Sequence, residues 1–468
     1  MSGTVIELTP APTVVAALRA FATATDVLLL DSAAVGDKLG RYSFLMADPI
    51  ARFEQSQPVF GVDPFAAMRT ALESCTMEPL PELPPFQGGI AGCLTYELGQ
   101  CWERFLSAPI DDLRIPVLHA GLYPWVIAWD HRTDRAWIIA QDWAVGEERS
   151  STDCAAERAQ AVKDRLQSPP VDDEPVWSRN SVHEPLPAWA KTVRPNLWSD
   201  QSPDEYLRAV ERVIEYIYAG DIFQANMSQR LLARSPCGPV QLYERLRTCN
   251  PAPFAGLMLA DDWAIVSASP ERYVQIADGV VSTRPIKGTR RRSPQPEADL
   301  FTKDSLRESD KDQAENVMIV DLLRNDLSRV CRPGTVRVPQ LCEVESFATV
   351  QHLVSEVQGT LEPGRTAGDV FAATFPGGSI TGAPKVRAME IIAELERTVR
   401  GPYTGCFFYV GADGRVDSNL LIRTWVQRRG WLQCGVGGGI VAQSSAAAEY
   451  EETWHKAAGM LAALKAAK

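Results

Sequence analysis

Lys287 stands in the stretch STRPIKGTRRRS, residues 282–293, between a Pro-Ile pair and a Gly-Thr turn, with three arginines directly behind it. A lysine amine that has lost its proton is a nucleophile, and such groups form covalent intermediates that split one difficult displacement into two easier ones. A solvated surface charge is the plain alternative for any lysine, so its neighbours have to decide. In AEYEETWHKAAGML, Glu449, Glu452 and Lys456 fall at i, i+3 and i+7 and share one helix face. Asp312 and Glu315 repeat the i, i+3 spacing ahead of Val317, Met318, Ile319 and Val320, an apolar run that predicts a helix buried all round. Carboxylates offered by two buried helices suit a hard divalent cation such as Mg²⁺, which takes oxygen ligands and keeps several waters. Solvated helix faces are the alternative reading of the same spacing.

Further groups could serve an anionic substrate. PGGSITGAPKVRAMEII, residues 376–392, reads as a glycine-rich turn with Pro384 at the first position of a helix, where free N–H groups and the helix dipole attract a carboxylate. It lacks the GxxxxGK[ST] phosphate loop. Arg423, in LLIRTW, is a guanidinium inside an apolar strand pattern, costly unless an anion meets it. His352, in QHLVSEV, is an acid, a base or a satisfied core histidine. The arginines at 290–292 read most simply as a solvated turn, and GGIAGCLTYE, residues 88–97, as a tight turn with close packing because its spacing does not fit a dinucleotide site.

The elements that must position these groups are partly readable. Residues 203–220 place Val210, Val213, Ile214 and Ile217 at helical spacing, with acids in the first turn and Gly220 as the stop. Helices are also predicted over 310–327, over 384–395 and from 446 onward, and strands near 27–30, 125–129, 263–267, 280–284, 407–410 and 420–426. Mixed strands and helices without strict alternation predict an α+β protein with helices outside the sheets. Prolines at 169, 170, 175, 185, 187, 195 and 203 favour extended chain, so 169–202 reads as a connection between an N-terminal lobe, 1–168, and a catalytic lobe, 203–468.

Composition narrows the function classes. The 468 residues carry a formal charge of −12, which disfavours nucleic acid or an anionic membrane as the main partner. Ten cysteines without a CxxC pair and only five histidines argue against zinc or a disulfide framework, and reduced cysteines fit the cytoplasm. The start, MSGTVIELTP, shows no leader pattern and no run reaches membrane-span length, so a cytoplasmic chain is expected.

GDIFQANMSQ, SASPERY, RPIKGTR, DQAENVMIVDLLRNDLSRV, HLVSEV, FPGGSITGAPKVRAMEII, DSNLLIRT and GGGIVAQSSAAAEYEETWHKA follow one another from residue 203 to the end. Together they resemble the chorismate-utilising enzymes. LLDS at 29–32, GRYSFL at 40–45 and the GGIAGCLTYE stretch look like the N-terminal lobe of the branch that holds anthranilate synthase and aminodeoxychorismate synthase component I. The resemblance implies a two-lobed fold whose sheets form a central sandwich. In the middle of PIxGT, anthranilate synthases carry alanine and aminodeoxychorismate synthases carry lysine, as at Lys287. Relatives that activate water place a lysine where this chain has Gln224.

By this resemblance Glu315 and Glu452 would be Mg²⁺ ligands, with Asp312 and Glu449 in the outer shell. Gly288, Thr289, Thr381, Tyr409, Arg423, Gly438 and Lys456 would bind the substrate carboxylates or line the pocket. Lys287 would be the nucleophile, Glu271 the acid and His352 an active-site histidine. Chorismate and ammonia would give 4-amino-4-deoxychorismate, on the way to p-aminobenzoate and folate. The ammonia would come from a separate glutamine amidotransferase subunit, since the sequence holds no GxCxGxQ-type segment. A tryptophan-sized pocket is implied near Ser32, Arg41 and Ser43. An anthranilate synthase component I and a catalytically silent chorismate-binding subunit are the competing readings.

Overall fold

The computed structural model describes residues 3–36, 39–75, 77–143, 154–168, 174, 184–292, 295–346 and 350–465. Residues 169–173 and 175–183 of the proline-rich connection therefore lie outside the described residues. Its last part forms two short strands, Lys191–Arg194 and Leu197–Ser199, at the edge of a sheet, the place where nearby prolines do least harm to a ladder.

Two antiparallel sheets make the body. Among the described residues one has thirteen strands and runs from Thr4–Leu8 through Tyr42–Met46, Val27–Asp31 and Phe254–Leu259 to Thr424–Arg428, Trp431–Ile440 and Gln224–Arg234. The other has ten and runs from Ile286–Arg291 and Val350–Thr360 through Arg272–Ala277 and Cys406–Gly411 to Gly89–Leu94 and Ala51–Gln55. Residues before 169 and after 202 contribute strands to both sheets. Val27–Asp31 pairs with Phe254–Leu259, and Gly89–Leu94 pairs with Cys406–Gly411.

The period of two in Cys406–Gly411 explains the layering. Phe407 and Tyr409 point into a core between the sheets, with Phe44, Phe86, Met258 and Trp263, while Cys406, Phe408 and Val410 face a second core beneath helices Asp310–Ser328 and Ala367–Thr374. A third core lies under the outer helices of the larger sheet, including Ala446–Ala463. This is an α+β sandwich with helices outside, as the sequence predicts.

Local chemistry sets the helix ends. Ser202 caps Pro203–Tyr218 in a reciprocal box with Glu205, Pro203 opens the first turn, and Tyr206, Ala209, Val210 and Val213 are its buried stripe. The Asp310–Ser328 helix is capped by Ser309 and buries Asn316, Ile319, Val320 and Leu323, but Val317 is 42% exposed. It is an ordinary two-faced helix; the apolar run 317–320 spans less than two turns and includes both faces.

Three other readings change. GGIAGCLTYE is a central strand rather than a turn, and a Cβ on Gly92 would come within 2.2 Å of the His119 carbonyl oxygen, so its glycines serve close strand approach. Residues 420–426 are not one strand. Val416–Asn419 and Thr424–Arg428 flank a bend in which Arg423 takes φ 53°, and the apolar Leu420 and Leu421 pack that bend into the core. Pro384 is the extended cap residue before the Lys385–Leu395 helix, one step earlier than its predicted place.

One buried ion pair joins these pieces. Arg400 donates through Nε and Nη2 to both oxygens of Glu396, at 2.8 and 2.7 Å, and through its other contacts to the carbonyls of Ile380 and Asn226, at 3.0 and 2.6 Å. Its guanidinium lies over the Tyr96 ring. Arg400→Met would leave the Glu396 charge buried without its partner. A loss of about 3–5 kcal/mol in urea unfolding is expected, and a loss within about 0.5 kcal/mol would show the pair to be dispensable.

Candidate active site

Lys287 lies on the strand Ile286–Arg291, whose ladder with Val350–Thr360 slips between Lys287 and Thr289. Gly288 occupies the slip at φ 63°, and a Cβ there would fall 2.7 Å from Leu306 and 3.0 Å from the Asp312 carboxyl carbon. Only glycine satisfies both the left-handed backbone and the close approach. Lys287 Nζ donates to the Ser379 carbonyl at 3.1 Å, and the Ser379 hydroxyl donates to Glu271 Oε1, also at 3.1 Å. One residue of the glycine-rich turn thus touches both groups.

Their environments push the two in useful directions. Burial draws the Lys287 ammonium below the usual lysine range, against the pull of Glu315 and Glu271, with Lys456 adding to the fall. Burial pushes Glu271 up to about 7, eased by Lys287, the Ser379 hydroxyl and the Ile286 amide. A lysine easier to deprotonate and a carboxyl easier to protonate are the pairing expected of a base or nucleophile beside an acid.

The acidic pairs of the two helices come to the same place. Glu449 is 6% exposed and accepts from the Ser444 hydroxyl at 2.7 Å, and Glu452 pairs with Lys456 at 2.7 Å. Lys311 reaches Glu315 at 4.0 Å and Glu449 at 3.9 Å, so one ammonium joins the Asp310–Ser328 helix to the Ala446–Ala463 helix. Burial raises Glu315 and Glu449, and each is raised further by neighbouring acids. Burial works against ionisation of Glu452 too, but Lys456 holds its pKa below the ordinary value. Gly438 forms the floor, where a Cβ would lie 3.2 Å from Glu449, 3.4 Å from Lys456 and 3.6 Å from Glu452. Asp312 pairs with Arg290 at 2.9 Å. Residues 290 and 291 thus belong to a strand, with Arg290 held against an acid, and not to a solvated turn.

As the side chains stand, no group of three or more His, Cys, Asp or Glu residues is close enough to hold a metal ion among the described residues. The donor set still fits a hard divalent cation, because Glu315 and Glu449 already share one positive group and all the donors are carboxylates.

His352 is 5% exposed, hydrogen-bonded to the Gly288 backbone, and pushed down to about 4 by burial and by Arg423, so it is neutral at neutral pH. Burial also lowers the pKa of Arg423, opposed by Glu271, and among the described residues no ion pair claims its guanidinium. Thr381 is buried with its hydroxyl donated to the Gly377 carbonyl at 3.0 Å. Thr289 pairs through its backbone with His352, and its side chain lies outside what is described.

Tyr409 is not brought to this cluster. Its ring packs 4.7 Å from Phe86 and lines a cavity of about 260 Å³, whose wall also includes Ser32, Arg41 and the Arg272–Asp417 pair. That cavity shares no lining residue with the Lys287 cluster. Ser43 stands behind its wall, with its hydroxyl donated to Asp31 at 2.7 Å and 2.6 Å from a His131 ring nitrogen.

Sequence reasoning missed Lys311 and Ser379. Lys311 sits four residues before Glu315, a helical pairing distance that could have marked it. Ser379 acts partly through its carbonyl, which no side-chain pattern reveals.

The chorismate binding enzyme family matches residues 27–462. Aminodeoxychorismate synthase component 1 of Klebsiella aerogenes is 36% identical over 92% of this chain and 91% of its own length. Anthranilate synthase component 1 of Thermus thermophilus is 40% identical over 84% of this chain and 80% of its own length. Among solved structures, anthranilate synthase component I from Streptococcus pneumoniae matches with a TM-score of 0.75 at 31% identity, covering 90% of this chain and 92% of that one. The menaquinone-specific isochorismate synthase from Escherichia coli shares the fold, with a TM-score of 0.71 at 17% identity over 99% and 95% of the two chains. The chain belongs to the chorismate binding enzyme family and is a chorismate-utilising enzyme.

Proposed function

We propose that the chain is an aminodeoxychorismate synthase component I that works through a covalent bond to Lys287. The observation that carries this reading is the Ser379-linked pair, a lysine of lowered pKa beside a carboxyl pushed up to about 7. The neutral Lys287 amine adds to ring C2 of chorismate as the C4 hydroxyl leaves, and Glu271 gives the proton that lets it depart as water. Ammonia then adds at C4 and expels the lysine from C2, giving 4-amino-4-deoxychorismate. Arg423 pairs with one substrate carboxylate, which its buried guanidinium otherwise lacks. Neutral His352 holds the Gly288 turn that aims Lys287. Glu315 and Glu452, backed by Glu449 and Asp312, would hold Mg²⁺, which when bound supplies positive charge for the ring carboxylate.

Anthranilate synthase component I is the second reading, favoured by a relative that is 40% identical. Lys287 argues against it. The component 1 names of the relatives support a separate glutamine-hydrolysing partner, and cytoplasmic placement is consistent with the absence, among the described residues, of any helix able to cross a membrane. The cavity at Ser32 and Arg41, with Ser43 behind it, is of a size to take a tryptophan-like amino acid.

Four outcomes test the proposal. Chorismate with Mg²⁺ and no ammonia leaves an adduct on Lys287, read by mass spectrometry of the whole chain and its peptides. Lys287→Ala loses the adduct and lowers aminodeoxychorismate formation by roughly a hundredfold or more while substrate binding survives; an unchanged rate without an adduct in the parent chain returns Lys287 to an ordinary charge. The pH dependence of kcat/KM is bell-shaped, because Lys287 must lose a proton and Glu271 must keep one, and one of its two limbs lies at about 7, where Glu271 titrates. A profile with no limb near that pH contradicts the acid assignment. The purified chain uses ammonium salts and not glutamine, and glutamine-dependent turnover with no added partner would remove the two-subunit reading.

A further inference from the structure

Two ammonium groups of the protein face three of the site's carboxylates. Glu315 and Glu449 come from different helices, and one ammonium, that of Lys311, lies 4.0 Å from the first and 3.9 Å from the second. Lys456 balances Glu452 at 2.7 Å. Glu315 and Glu449 differ from Lys311 in how tightly they are held. The Glu315 and Glu449 side chains are 14% and 6% exposed, whereas that of Lys311 is 48% exposed on the first turn of its helix. The carboxylates are fixed by their helices and by the Ser444 hydroxyl; Lys311 rests on them through four methylenes and has solvent behind it. Contacts of 3.9–4.0 Å are ion pairs without a hydrogen bond, weak enough to be exchanged.

We propose that Lys311 is an exchangeable internal counter-ion, which joins Glu315 to Glu449 until a divalent cation takes its place and releases it to solvent. This rests on the reading of Glu315 and its neighbours as the Mg²⁺ site. A cation held by Glu315 and Glu452 and backed by Glu449 would lie beside the same Glu315 and Glu449 carboxylates that Lys311 faces, and like charges that close repel strongly. Removing Lys311 therefore has opposite effects on the two states. The metal-free chain loses the charge that keeps the acids of two helices from repelling one another. The metal-bound chain loses nothing, because Lys311 has already left. Lys311 thereby sets how much divalent cation the site needs, at a distance from the reacting atoms.

The test uses the full chain stripped of metal, with MgCl₂ as titrant at constant ionic strength. Lys311→Met is expected to bind Mg²⁺ roughly three- to tenfold more tightly by calorimetry, the worth of one or two partly exposed ion pairs. Without metal it melts about 2 °C lower than the parent, and with saturating Mg²⁺ the two melt together. Lys311→Arg keeps the charge and stays close to the parent in both measurements. Equal or weaker binding in Lys311→Met, when the parent binds Mg²⁺, overturns the counter-ion role and leaves the metal site standing. No binding heat in either chain overturns the metal reading and this inference together. Both readouts precede catalysis, so neither depends on which product the enzyme makes.

Discussion

The site depends on a buried guanidinium. Arg400 must make up for lost hydration, and it does so by spending all of its reach on Glu396 and on two main-chain carbonyls. Those carbonyls belong to Ile380, next to Ser379, and to Asn226, in the strand Gln224–Arg234. Glu396 in turn takes the Ser228 amide and hydroxyl at 2.9 and 2.7 Å, and the Tyr96 ring from the other end of the sequence lies against the cation. A charge that can be buried only if every partner is present fixes those partners to one another. The glycine-rich turn, too poor in side chains to pack itself, is held from beneath by this pair.

Ser379 passes that order on to the chemistry. Because its carbonyl takes Lys287 and its hydroxyl meets Glu271, a small displacement of the turn would move nucleophile and acid together. The electrostatics follow the same economy. Cations and carboxylates alternate around the pocket, so no group is far from a charge of opposite sign, and burial then shifts lysine and carboxyl toward their neutral forms. Arg423 stands apart, since its backbone at φ 53° carries it out of the strand pattern and among the described residues no ion pair claims it.

Much of this was legible in the residues themselves. Helical spacing placed Glu449, Glu452 and Lys456 on one face, and the spacing of Val210, Val213, Ile214 and Ile217 marked the Pro203–Tyr218 helix. What failed had local causes. Val317 was read as buried because a four-residue apolar run outweighed its place on the outer face, and the stretch from 420 was read as a strand because Leu420 and Leu421 are apolar in a bend as they would be in a ladder. Tyr409 matched a family pattern by composition, yet alternation along Cys406–Gly411 turns it to the core between the sheets. Lys311 and Ser379 acquire meaning only once two helices or a strand and a turn meet, which no single segment encodes.

The sharing of both sheets between distant parts of the sequence has a consequence for how the chain comes into being. Val27–Asp31 meets Tyr42–Met46 early but finds its other neighbour only when residues 254–259 have been made, and Gly89–Leu94, paired with Leu118–Tyr123 on one side, waits for residues 406–411 on the other. During synthesis each of these early strands therefore leaves the ribosome with one open, apolar edge that stays unfilled for much of the chain's length. Loops of that span are costly to close, so folding belongs to the slow, non-local class and completes near the moment of release. A nascent chain of this kind is a natural client for holdase chaperones.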